Sequence, residues 1–493
     1  MGRQMVVFGD SIAGMNAYAL TCSGLTLDGS TTMTVSSTSH SMLPGQPIYG
    51  FAATDEDLNG RFTVTSVVDA NTFTVTLPTA KSGTATAKTG TFQLYNTALL
   101  SDRGAFNWLS ALNNACFDIA GVCAEAGSLA SYLPTLIGKA SGLTYQWAGI
   151  ITGINDAAAS ATGATIASRI TSAVDTLVAN GKNVIIATIG PWQGGGTSGY
   201  TAAKYQAAME ANAILKRYAA RTRGVYIMDT IAAASTATST AGAPASNMLD
   251  GTDNTHPTAK GAYTYAARFT VDYPYVLPTA QLWLPTTAMI DEGVAVAMRQ
   301  LWNNPLMAGT GGSLQGSPAP SGSAATSQIV YMTGAGAAAV CSLVADASGF
   351  GQAQRIALTS SADNDRIQMY SSDGTLDITS GESIRVALRV KCGLSGGGAT
   401  TQLKRIYAKA SGSATGIIAG TKDLTAMLYS SASSVANFPQ LNDVTLTLLS
   451  PARLINGAVA SGLTGLLPEF ASHLGGADTV TYDVSRVAAW ATS

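Results

Sequence analysis

The chain has 493 residues, few of them charged, and no cluster of charge of either sign. Lys, Arg, Asp and Glu make up 11% of it, and the formal net charge at pH 7 is −2. An average protein has about 25% charged residues. Because a nucleic-acid-binding surface needs clustered Lys and Arg, the sequence predicts no nucleic-acid partner. The combination of low net charge and 46% hydrophobic residues excludes an intrinsically disordered chain.

Long hydrophobic runs are also missing. No apolar stretch reaches the roughly 18 residues that a membrane-spanning helix needs, so we expect no membrane insertion. A signal peptide would have to precede the mature fold, but a candidate core strand, Met5–Phe8, already lies at the start. We therefore expect a protein made in the cytoplasm without a signal peptide, which reaches an extracellular location by another route such as lysis.

Cysteine is scarce, and its five positions show no metal-site spacing. They are Cys22, Cys116, Cys123, Cys341 and Cys392. An odd, small number of this kind indicates free, buried thiols rather than a disulfide framework. The Gly-rich segment Gly190–Gly196 lacks the Gly-Lys-Ser/Thr ending of a phosphate-binding loop. The sequence thus predicts neither a metal nor a cofactor.

The pattern of apolar, β-branched and turn residues changes along the chain, and the length of the chain predicts about three domains. Short strands alternate with helical stripes in two separated parts, residues 1–20 and 99–277. This alternation predicts an α/β domain with a parallel sheet covered by helices on both faces. The predicted strands are Met5–Phe8, Phe117–Ala120, Tyr145–Ile151, Val184–Ile189 and Val225–Met228.

The other parts of the chain are richer in β-branched residues and turn residues. Residues 21–98 predict a small β-module inserted into the α/β domain. Residues 278–327 predict a connector with one helix near Thr287–Leu301 and a Gly/Ser/Pro-rich surface loop or linker, Ala308–Ser323. Residues 328–493 predict about eight short strands in a jelly-roll-like β-sandwich. That last domain would bind carbohydrate or mediate assembly.

Histidine is the scarcest residue with catalytic chemistry: only His40, His256 and His473 occur. A serine hydroxyl needs an adjacent base to become a nucleophile. His256 follows the last strand of the α/β domain, and Asp253 precedes it by three residues, in reach of the imidazole Nδ1–H. Ser11 lies at the carboxyl end of the first strand, at the sheet edge where such domains bind ligands. The sequence therefore predicts Ser11 as nucleophile, His256 as base and Asp253 as the group that orients it.

An oxyanion hole needs hydrogen-bond donors at the same edge. Asn155, in the Gly153–Asp156 segment after a middle strand, offers a side-chain amide. Gly127, in the segment Glu125–Ser128, offers an unshielded backbone N–H, and Gly121 is an alternative to it. Two further residues are expected to have structural roles: Trp147 in packing and Asp229 as a helix cap or sheet-edge partner. For Trp192, in the Gly-rich loop, two alternatives stay open: the loop shapes a substrate cleft, or it only connects two elements.

These motifs occur in a characteristic order. Gly9-Asp10-Ser11 follows an apolar strand, a glycine precedes a helix, Gly-x-Asn-Asp follows a middle strand, and Asp-x-x-His-Pro comes near the end. The order resembles the SGNH (GDSL-type) esterase family over about residues 1–20 and 99–277, with Ile12 where that family usually has Leu. The resemblance implies a three-layer α/β/α fold and ester hydrolysis. It also implies the Ser11, Asp253 and His256 triad and an oxyanion hole formed by Ser11, Gly127 and Asn155.

Two short segments resemble parts of bacteriophage virion proteins. Ser39–Leu77 is similar to small β-modules of phage tail proteins, and Asn304–Gly312 is similar to the entry into C-terminal β-domains of tail and virion proteins. These likenesses imply a virion-surface esterase that removes O-acetyl groups from a host polysaccharide, as a trimer or in contact with other virion proteins. Two alternatives stay open: a non-catalytic virion adhesin with an esterase-like body, and a bacterial lipase-type esterase.

Overall fold

The computed structural model describes most of the chain. The described residues are 3–84, 92–192, 200–235, 243–277, 299–302, 304–334, 336–347, 349, 351–371, 378, 380–393, 403–414, 421–430, 434–455 and 463–492. Among them, no helix combines the length and the apolar character that crossing a membrane requires.

The N-terminal part begins with a strand and one helical turn, followed by eight short strands. These are β1 (Arg3–Gly9), α1 (Ser11–Gly14), β2 (Tyr18–Thr21), β3 (Gly24–Asp28), β4 (Thr32–Ser36), β5 (Pro47–Phe51), β6 (Gly60–Asp69), β7 (Thr72–Thr76), β8 (Ser82–Thr84) and β9 (Gln93–Asn96). The next part alternates strands and helices. These are β10 (Leu99–Ser101), α2 (Ala105–Leu112), β11 (Phe117–Ala124), α3 (Leu133–Lys139), β12 (Trp147–Ile151), α4 (Ile154–Ala158), α5 (Gly163–Ala179), β13 (Asn183–Ala187), α6 (Ala202–Ala219), β14 (Val225–Met228), α7 (Thr230–Ala234) and α8 (Ala259–Asp272).

The C-terminal part is built of strands. These are β15 (Arg299–Gln300), β16 (Ser313–Ser317), β17 (Ser321–Gly322), β18 (Gln328–Thr333), β19 (Ala338–Ala345), β20 (Gln352–Ser360), β21 (Asp363–Ser371), β22 (Ser383–Cys392), β23 (Leu403–Ala414), β24 (Thr421–Tyr429), β25 (Val444–Leu449), β26 (Arg453–Leu454), β27 (Leu463–Gly475) and β28 (Asp478–Thr492).

A five-stranded parallel sheet forms the α/β domain, in the order β11-β1-β12-β13-β14. The prediction of a parallel sheet is confirmed. Successive side chains of a strand point to opposite faces, and four consecutive residues of β1, Met5 to Phe8, are all fully buried. Both faces of the sheet are therefore covered. Helix α5 packs on α6, and α2 packs on α8.

Helix α5 illustrates how the local sequence sets an element. Thr162 caps its start by accepting a hydrogen bond from the Thr165 backbone N–H. Its buried residues recur at helical spacing, Ile166, Ile170, Val174 and Leu177 among them, so one stripe faces the core. The helix ends just before Gly181, which has a φ of +73°.

The strand order places a crevice at the end of β1. Its neighbours β11 and β12 follow it in the chain on opposite sides, so the direction of the crossovers reverses at β1, and open α/β sheets bind ligands at such a point. Gly9 ends β1 with a φ of +143°, and a Cβ there would lie 1.7 Å from the Ile151 carbonyl oxygen. Only glycine permits this approach, which brings the ends of β1 and β12 together.

Residues of the predicted inserted module form an antiparallel eight-stranded sheet, in the order β2-β9-β5-β6-β7-β4-β3-β8. We call it the β2–β9 sheet. It has a hydrophobic core of its own, which includes Leu25, Val35 and Phe73. It also contacts the α/β domain, because the Tyr49 hydroxyl donates to the Ala120 carbonyl at 3.0 Å.

Two further sheets make up the C-terminal part. Their orders are β10-β24-β23-β27-β21-β18-β16, and β17-β19-β20-β28-β22-β25 with β15 on β28 and β26 on β22. The predicted β-rich character is confirmed, while the jelly-roll arrangement stays a prediction, as do the exact domain boundaries. Strand β10, at the predicted start of the second α/β part, pairs with β24 instead of joining the parallel sheet.

The prediction of a surface loop at Ala308–Ser323 is wrong in part. Strand β16 pairs with β18, and β17 pairs with β19, both in parallel. The glycines that suggested a loop permit this pairing, since a Cβ at Gly316 would lie 2.0 Å from the Met332 carbonyl oxygen. The predicted helix near Thr287–Leu301 falls mostly outside the described residues; its described end contains β15.

The C-terminal sheets pack on the α/β domain through one continuous hydrophobic core. A buried ion pair crosses this contact: the Arg385 guanidinium lies 2.5 Å from the Asp118 carboxylate, with 10% and 6% of the two side chains exposed. The Gln4 side-chain amide donates to the same carboxylate at 2.6 Å. The parallel sheet and the C-terminal sheets are thus packed as one unit.

Candidate active site

Ser11 lies two residues beyond the end of β1, as the first residue of the single-turn helix α1. Asp10 caps that turn, because its Oδ1 accepts a hydrogen bond from the Ile12 backbone N–H at 3.0 Å. The Asp10 backbone N–H in turn donates to the Ile151 carbonyl at 3.1 Å. The position of Ser11 is therefore determined by backbone contacts to both its own strand and β12.

His256 and Asp253 lie opposite Ser11. The distance from His256 Nε2 to Ser11 Oγ is 2.7 Å, and the distance from His256 Nδ1 to Asp253 Oδ2 is also 2.7 Å. Asp253 Oδ1 accepts from the backbone N–H groups of Thr255, at 2.9 Å, and His256, at 3.0 Å. The three residues that the sequence predicted as a triad are brought together in one continuous chain of hydrogen bonds.

A tight loop, Asp250–Pro257, holds this arrangement. The Asp250 backbone N–H donates to the His256 carbonyl at 2.8 Å. Arg103 clamps both ends of the loop, because its Nε donates to the Pro257 carbonyl at 2.8 Å and its guanidinium lies 3.2 Å from the Asp250 carboxylate. Sequence reasoning missed Arg103, since nothing near it in the chain marks it as a partner of this loop.

Two carboxyl groups near Ser11 have opposite environments. Partial burial raises the pKa of Asp253, but the hydrogen bonds from His256 and Thr255 outweigh burial, so the net pKa lies below the usual value. Asp253 therefore stays ionised where the site would work. Asp10 is fully buried, and burial raises its pKa from 3.8 to about 7, with the Asp156 carboxylate adding to the rise and the backbone N–H of Ile12 opposing it.

The two predicted oxyanion segments follow the strands on either side of β1. Glu125, directly after β11, donates its backbone N–H to the Gly9 carbonyl at 3.0 Å. Gly127 follows, exposed and with a φ of +76°. Asn155 lies in α4, just after β12, and its side-chain amide donates one hydrogen bond to the Ser128 carbonyl at 3.1 Å. Both segments thus lie at the edge of the sheet that carries Ser11.

Gly121, the alternative to Gly127, lies elsewhere. It is in the interior of β11, paired with Val6, and a Cβ there would lie 2.8 Å from both the Tyr49 hydroxyl and the Leu143 side chain. Its surroundings are those of a packing position, which favours Gly127 as the candidate donor.

The other two histidines have local partners away from this site. His40 Nδ1 accepts from the Met42 backbone N–H at 2.9 Å, and its Nε2 lies 3.0 Å from the Asp69 carbonyl. Burial, followed by nearby arginines, lowers the pKa of His473 to about 3, and its Nε2 lies 3.4 Å from the Tyr407 hydroxyl. His256 is the histidine at the carboxyl edge of the parallel sheet.

The remaining sequence expectations concern structural residues. Trp147 is buried in β12 and stacks on Tyr226, as predicted. Asp229 caps α7, also as predicted, and pairs with Lys216. Trp192 is buried against Tyr200, while the rest of its Gly-rich loop, residues 193–196, lies outside the described residues. All five cysteines are free and buried.

A pocket of about 550 Å³ opens beside Ser11 and His256. Three parts of the chain line it. The α/β domain contributes Arg103 and Ala126, the β2–β9 sheet contributes Tyr18, Gln93 and Tyr95, and the C-terminal part contributes Tyr429 and Asn437. Sequence reasoning missed the last two groups, because no local motif links them to Ser11. Within the described ranges, no group of three or more His, Cys, Asp and Glu residues could hold a metal ion.

Gln93 connects one of these parts to the oxyanion segment. Its Oε1 accepts a hydrogen bond from the Ala126 backbone N–H at 2.9 Å and another from the Tyr95 hydroxyl at 2.9 Å. Ala126 directly precedes Gly127. The β2–β9 sheet thereby supports the loop that carries the candidate oxyanion donor.

A comparison with protein families finds a match to part of this chain. A family model described as "GDSL-like Lipase/Acylhydrolase family" matches residues 82–263, which include Asn155, Asp253 and His256 but not Ser11. A comparison with curated proteins finds no match.

Three solved structures illustrate the structural likenesses. A member of the lipolytic protein G-D-S-L family from Veillonella parvula is 18% identical, covers 35% of this chain and 89% of its own, and has a TM-score of 0.26. A peptidoglycan O-acetylesterase is 10% identical, covers 56% and 91%, and has a TM-score of 0.26. The endosialidase of phage phi92 is 30% identical over 16% of this chain, with a TM-score of 0.14; the match spans only 12% of that protein. With scores this low, none of them bears on activity or substrate.

Proposed function

We propose that this chain is a serine esterase of the SGNH (GDSL-type) class that hydrolyses O-acetyl esters on a polysaccharide. The observation that carries the proposal is the hydrogen-bonded series from Ser11 Oγ through the His256 ring to the Asp253 carboxylate, with 2.7 Å at each step. The family match over residues 82–263 supports the same reaction class, ester hydrolysis.

In the first half of the reaction, Ser11 Oγ attacks the ester carbonyl carbon while His256 Nε2 takes the hydroxyl proton. The carbonyl oxygen becomes an oxyanion, which the backbone N–H groups of Ser11 and Gly127 and the side-chain amide of Asn155 stabilise. When the C–O bond to the sugar breaks, the Nε2 proton passes to the leaving sugar hydroxyl, and the acyl group stays on Ser11.

In the second half, a water molecule gives a proton to His256 Nε2 and attacks the acyl-serine. The tetrahedral intermediate then collapses: the bond from its carbon to Ser11 Oγ breaks, His256 Nε2 returns the proton to Ser11 Oγ, and the acid is released. Asp253 accepts from Nδ1–H throughout, so Nε2 is the nitrogen free to take a proton. The lowered pKa of the Asp253 carboxyl group keeps that group ionised during these steps.

An acetyl group is proposed as the acyl part because an acetyl ester needs only a small acyl pocket. The pocket that Ser11 and His256 line has a volume of about 550 Å³, which is enough for a sugar together with a small acyl group.

The role as a phage tail or virion-surface deacetylase at a host cell surface rests on the two segment resemblances noted above. The same holds for a trimeric state, contacts with other virion proteins and an extracellular location. Acetate release from a panel of acetylated bacterial polysaccharides would test the substrate class, and light scattering in solution would test the trimer.

The esterase proposal is tested with p-nitrophenyl acetate and three proteins: wild type, Ser11→Ala and the control Ser172→Ala, at an exposed position of α5. We expect Ser11→Ala to lose at least about 10³-fold in kcat/KM and the control to match wild type. Equal background rates for wild type and Ser11→Ala would favour the non-catalytic adhesin. A preference for p-nitrophenyl palmitate over the acetate would favour the lipase-type esterase.

A further inference from the structure

Two tyrosines from outside the parallel-sheet domain form one wall of the pocket beside Ser11. Tyr18 begins β2, and Tyr429 ends β24. Their rings meet edge to face, with centroids 5.2 Å apart and planes at 88°. Both side chains are half-buried and line the pocket together with Ser11 and His256.

Backbone contacts hold Tyr18 in place. Asn16, two residues earlier, is fully buried. Its side-chain oxygen accepts from the Phe106 backbone N–H at 3.0 Å, and its carbonyl accepts from the Asn107 side-chain amide at 2.7 Å. The short chain between Ser11 and Tyr18 is thus tied to α2, which anchors the backbone two residues before Tyr18.

Tyr429 is held by a different element. It pairs with Ser101 of β10, and its carbonyl accepts from the Asp102 backbone N–H at 3.2 Å. The next residue, Arg103, clamps the His256 loop. The segment Ser101–Arg103 therefore contacts both the backbone of Tyr429 and the loop that carries His256. These contacts link the positions of the two residues.

The chemistry of the pocket suits a sugar ring. A pyranose has an apolar face of C–H groups and an edge of hydroxyls. A tyrosine ring offers a large, rigid apolar surface to such a face. Gln93 and Asn437 bring amide groups to the same pocket, and Arg103 is already charge-paired with Asp250. At about 550 Å³ the pocket lies in the range of small-molecule sites.

We infer that Tyr18 and Tyr429 form a subsite for the pyranose ring that carries the ester, and that this subsite sets the preference for sugar esters over simple esters. The inference rests on the proposed esterase function. It assigns substrate choice to residues that the β2–β9 sheet and the C-terminal part add to the catalytic domain. Because the wall is in place before binding, little ordering cost opposes the sugar.

The test compares kcat/KM for p-nitrophenyl acetate, which has no sugar, with kcat/KM for peracetylated glucose, galactose, mannose and N-acetylglucosamine. For Tyr18→Ala and Tyr429→Ala, the loss of kcat/KM on at least one sugar ester is expected to exceed the loss on p-nitrophenyl acetate by about five- to tenfold, through KM. Tyr275→Ala, at a position 97% exposed and outside the pocket, is the control. Equal losses on both kinds of ester, or no loss on any sugar, would overturn the inference.

Tyr18→Phe and Tyr429→Phe separate the ring from the hydroxyl. Retention of wild-type kinetics by both supports contact with the ring face. A loss as large as that of the Ala variants would overturn it, since a hydroxyl contact would then carry binding. Thermal midpoints close to that of wild type verify that each variant is folded.

If wild type hydrolyses neither kind of ester, that result refutes the esterase proposal. The sugar subsite can still be tested separately, by measuring the binding of acetylated sugars to Ser11→Ala. Saturation-transfer NMR with the same acetylated sugars is expected to show binding to Ser11→Ala. That binding should fall at least fivefold when Tyr18→Ala or Tyr429→Ala is added. Binding that both tyrosine changes leave intact, or no binding of any of the sugars, would reject the subsite.

Discussion

At the scale of single residues, the hydrogen bonds of Asp253 determine how an amide in its place would change the tautomer of the His256 ring. Its Oδ1 accepts two backbone N–H groups, and its Oδ2 faces His256 Nδ1. An asparagine would keep its oxygen on the two backbone donors and direct its NH₂ at Nδ1. That arrangement would place the ring proton on Nε2, so Nε2 could not accept the proton of the Ser11 hydroxyl.

We therefore predict that Asp253→Asn lowers kcat on p-nitrophenyl acetate by about 10³- to 10⁴-fold. Asp253→Ala should lose less, because it leaves the tautomer free. Neither should lose more than Ser11→Ala. The measurement is kcat for the three variants, with thermal midpoints as the folding control. An Asn variant more active than the Ala variant would contradict this account of the tautomer.

Asp10 provides a prediction about pH. Burial raises its pKa from 3.8 to about 7, so between those values the folded protein keeps a proton that the unfolded chain has released. This contribution to stability is complete below about pH 4 and is lost as the pH rises to about 7. The free energy of unfolding should fall over that interval by about 1.4 kcal/mol per pH unit from this group.

Asp10→Asn keeps an oxygen for the Ile12 N–H and cannot ionise. Relative to wild type, the variant should gain stability steadily from pH 5 to 7 and show no further relative change above about pH 8. Urea unfolding of both proteins at several pH values measures the difference. Parallel stability curves for the two proteins would show that Asp10 does not titrate in this range.

At the scale of elements, strand β9 supports the catalytic loop through Gln93. Replacing Gln93 with Met removes the acceptor of the Ala126 N–H but keeps the side-chain length. Since a misplaced oxyanion donor affects the transition state more than the bound ester, we predict about a tenfold fall in kcat on p-nitrophenyl acetate with KM changed less than twofold.

Gln315→Met, at an exposed position of β16, is the matched control and should behave as wild type. A Gln93→Met variant with unchanged kcat would mean that the loop keeps its geometry without this strand. A change confined to KM would instead assign Gln93 to substrate binding.

The elements themselves were predictable to different degrees. Strands β1, β13 and β14 carry strong local patterns, and the structure has them within a few residues of the predicted spans. Strands β16 and β17 lie where the sequence predicts a loop, Ala308–Ser323. Small residues and glycines form these strands only because a neighbouring strand lies alongside, a contact that no local pattern records.

At the scale of the whole molecule, the Arg385–Asp118 pair joins the C-terminal sheets to the parallel sheet. Removing one partner leaves the other charge buried without its counter-charge. We predict that Arg385→Ala lowers the free energy of unfolding by about 3 kcal/mol. Adding Asp118→Ala should cost less than the sum of the single changes. Denaturant unfolding of the full chain measures both effects.

Arg355→Ala is the matched control, because Arg355 pairs with Asp483 at a more exposed position, with 38% and 15% of the two side chains exposed. It should cost no more than about 1 kcal/mol. Equal costs for Arg385→Ala and Arg355→Ala would show that the contact between the sheets does not depend on this pair.

The sequence by itself determined the candidate triad and the kind of domain that holds it. Ser11, Asp253 and His256 each lie in a short motif that follows a strand, and parallel strands bring their carboxyl ends to one edge whatever the details of packing. The scarcity of histidine then left one well-placed base. Asn155 and Gly127 could be proposed on the same grounds.

Only the tertiary structure decided what surrounds the triad. Separate sheets pack against the catalytic domain and bring four residues to the site: Arg103, Gln93, Tyr18 and Tyr429. Gly121 differs from Gly127 because it lies against the Tyr49 side chain. Such contacts join residues far apart in the chain. Their geometry depends on how whole sheets pack, which local periodicity does not encode.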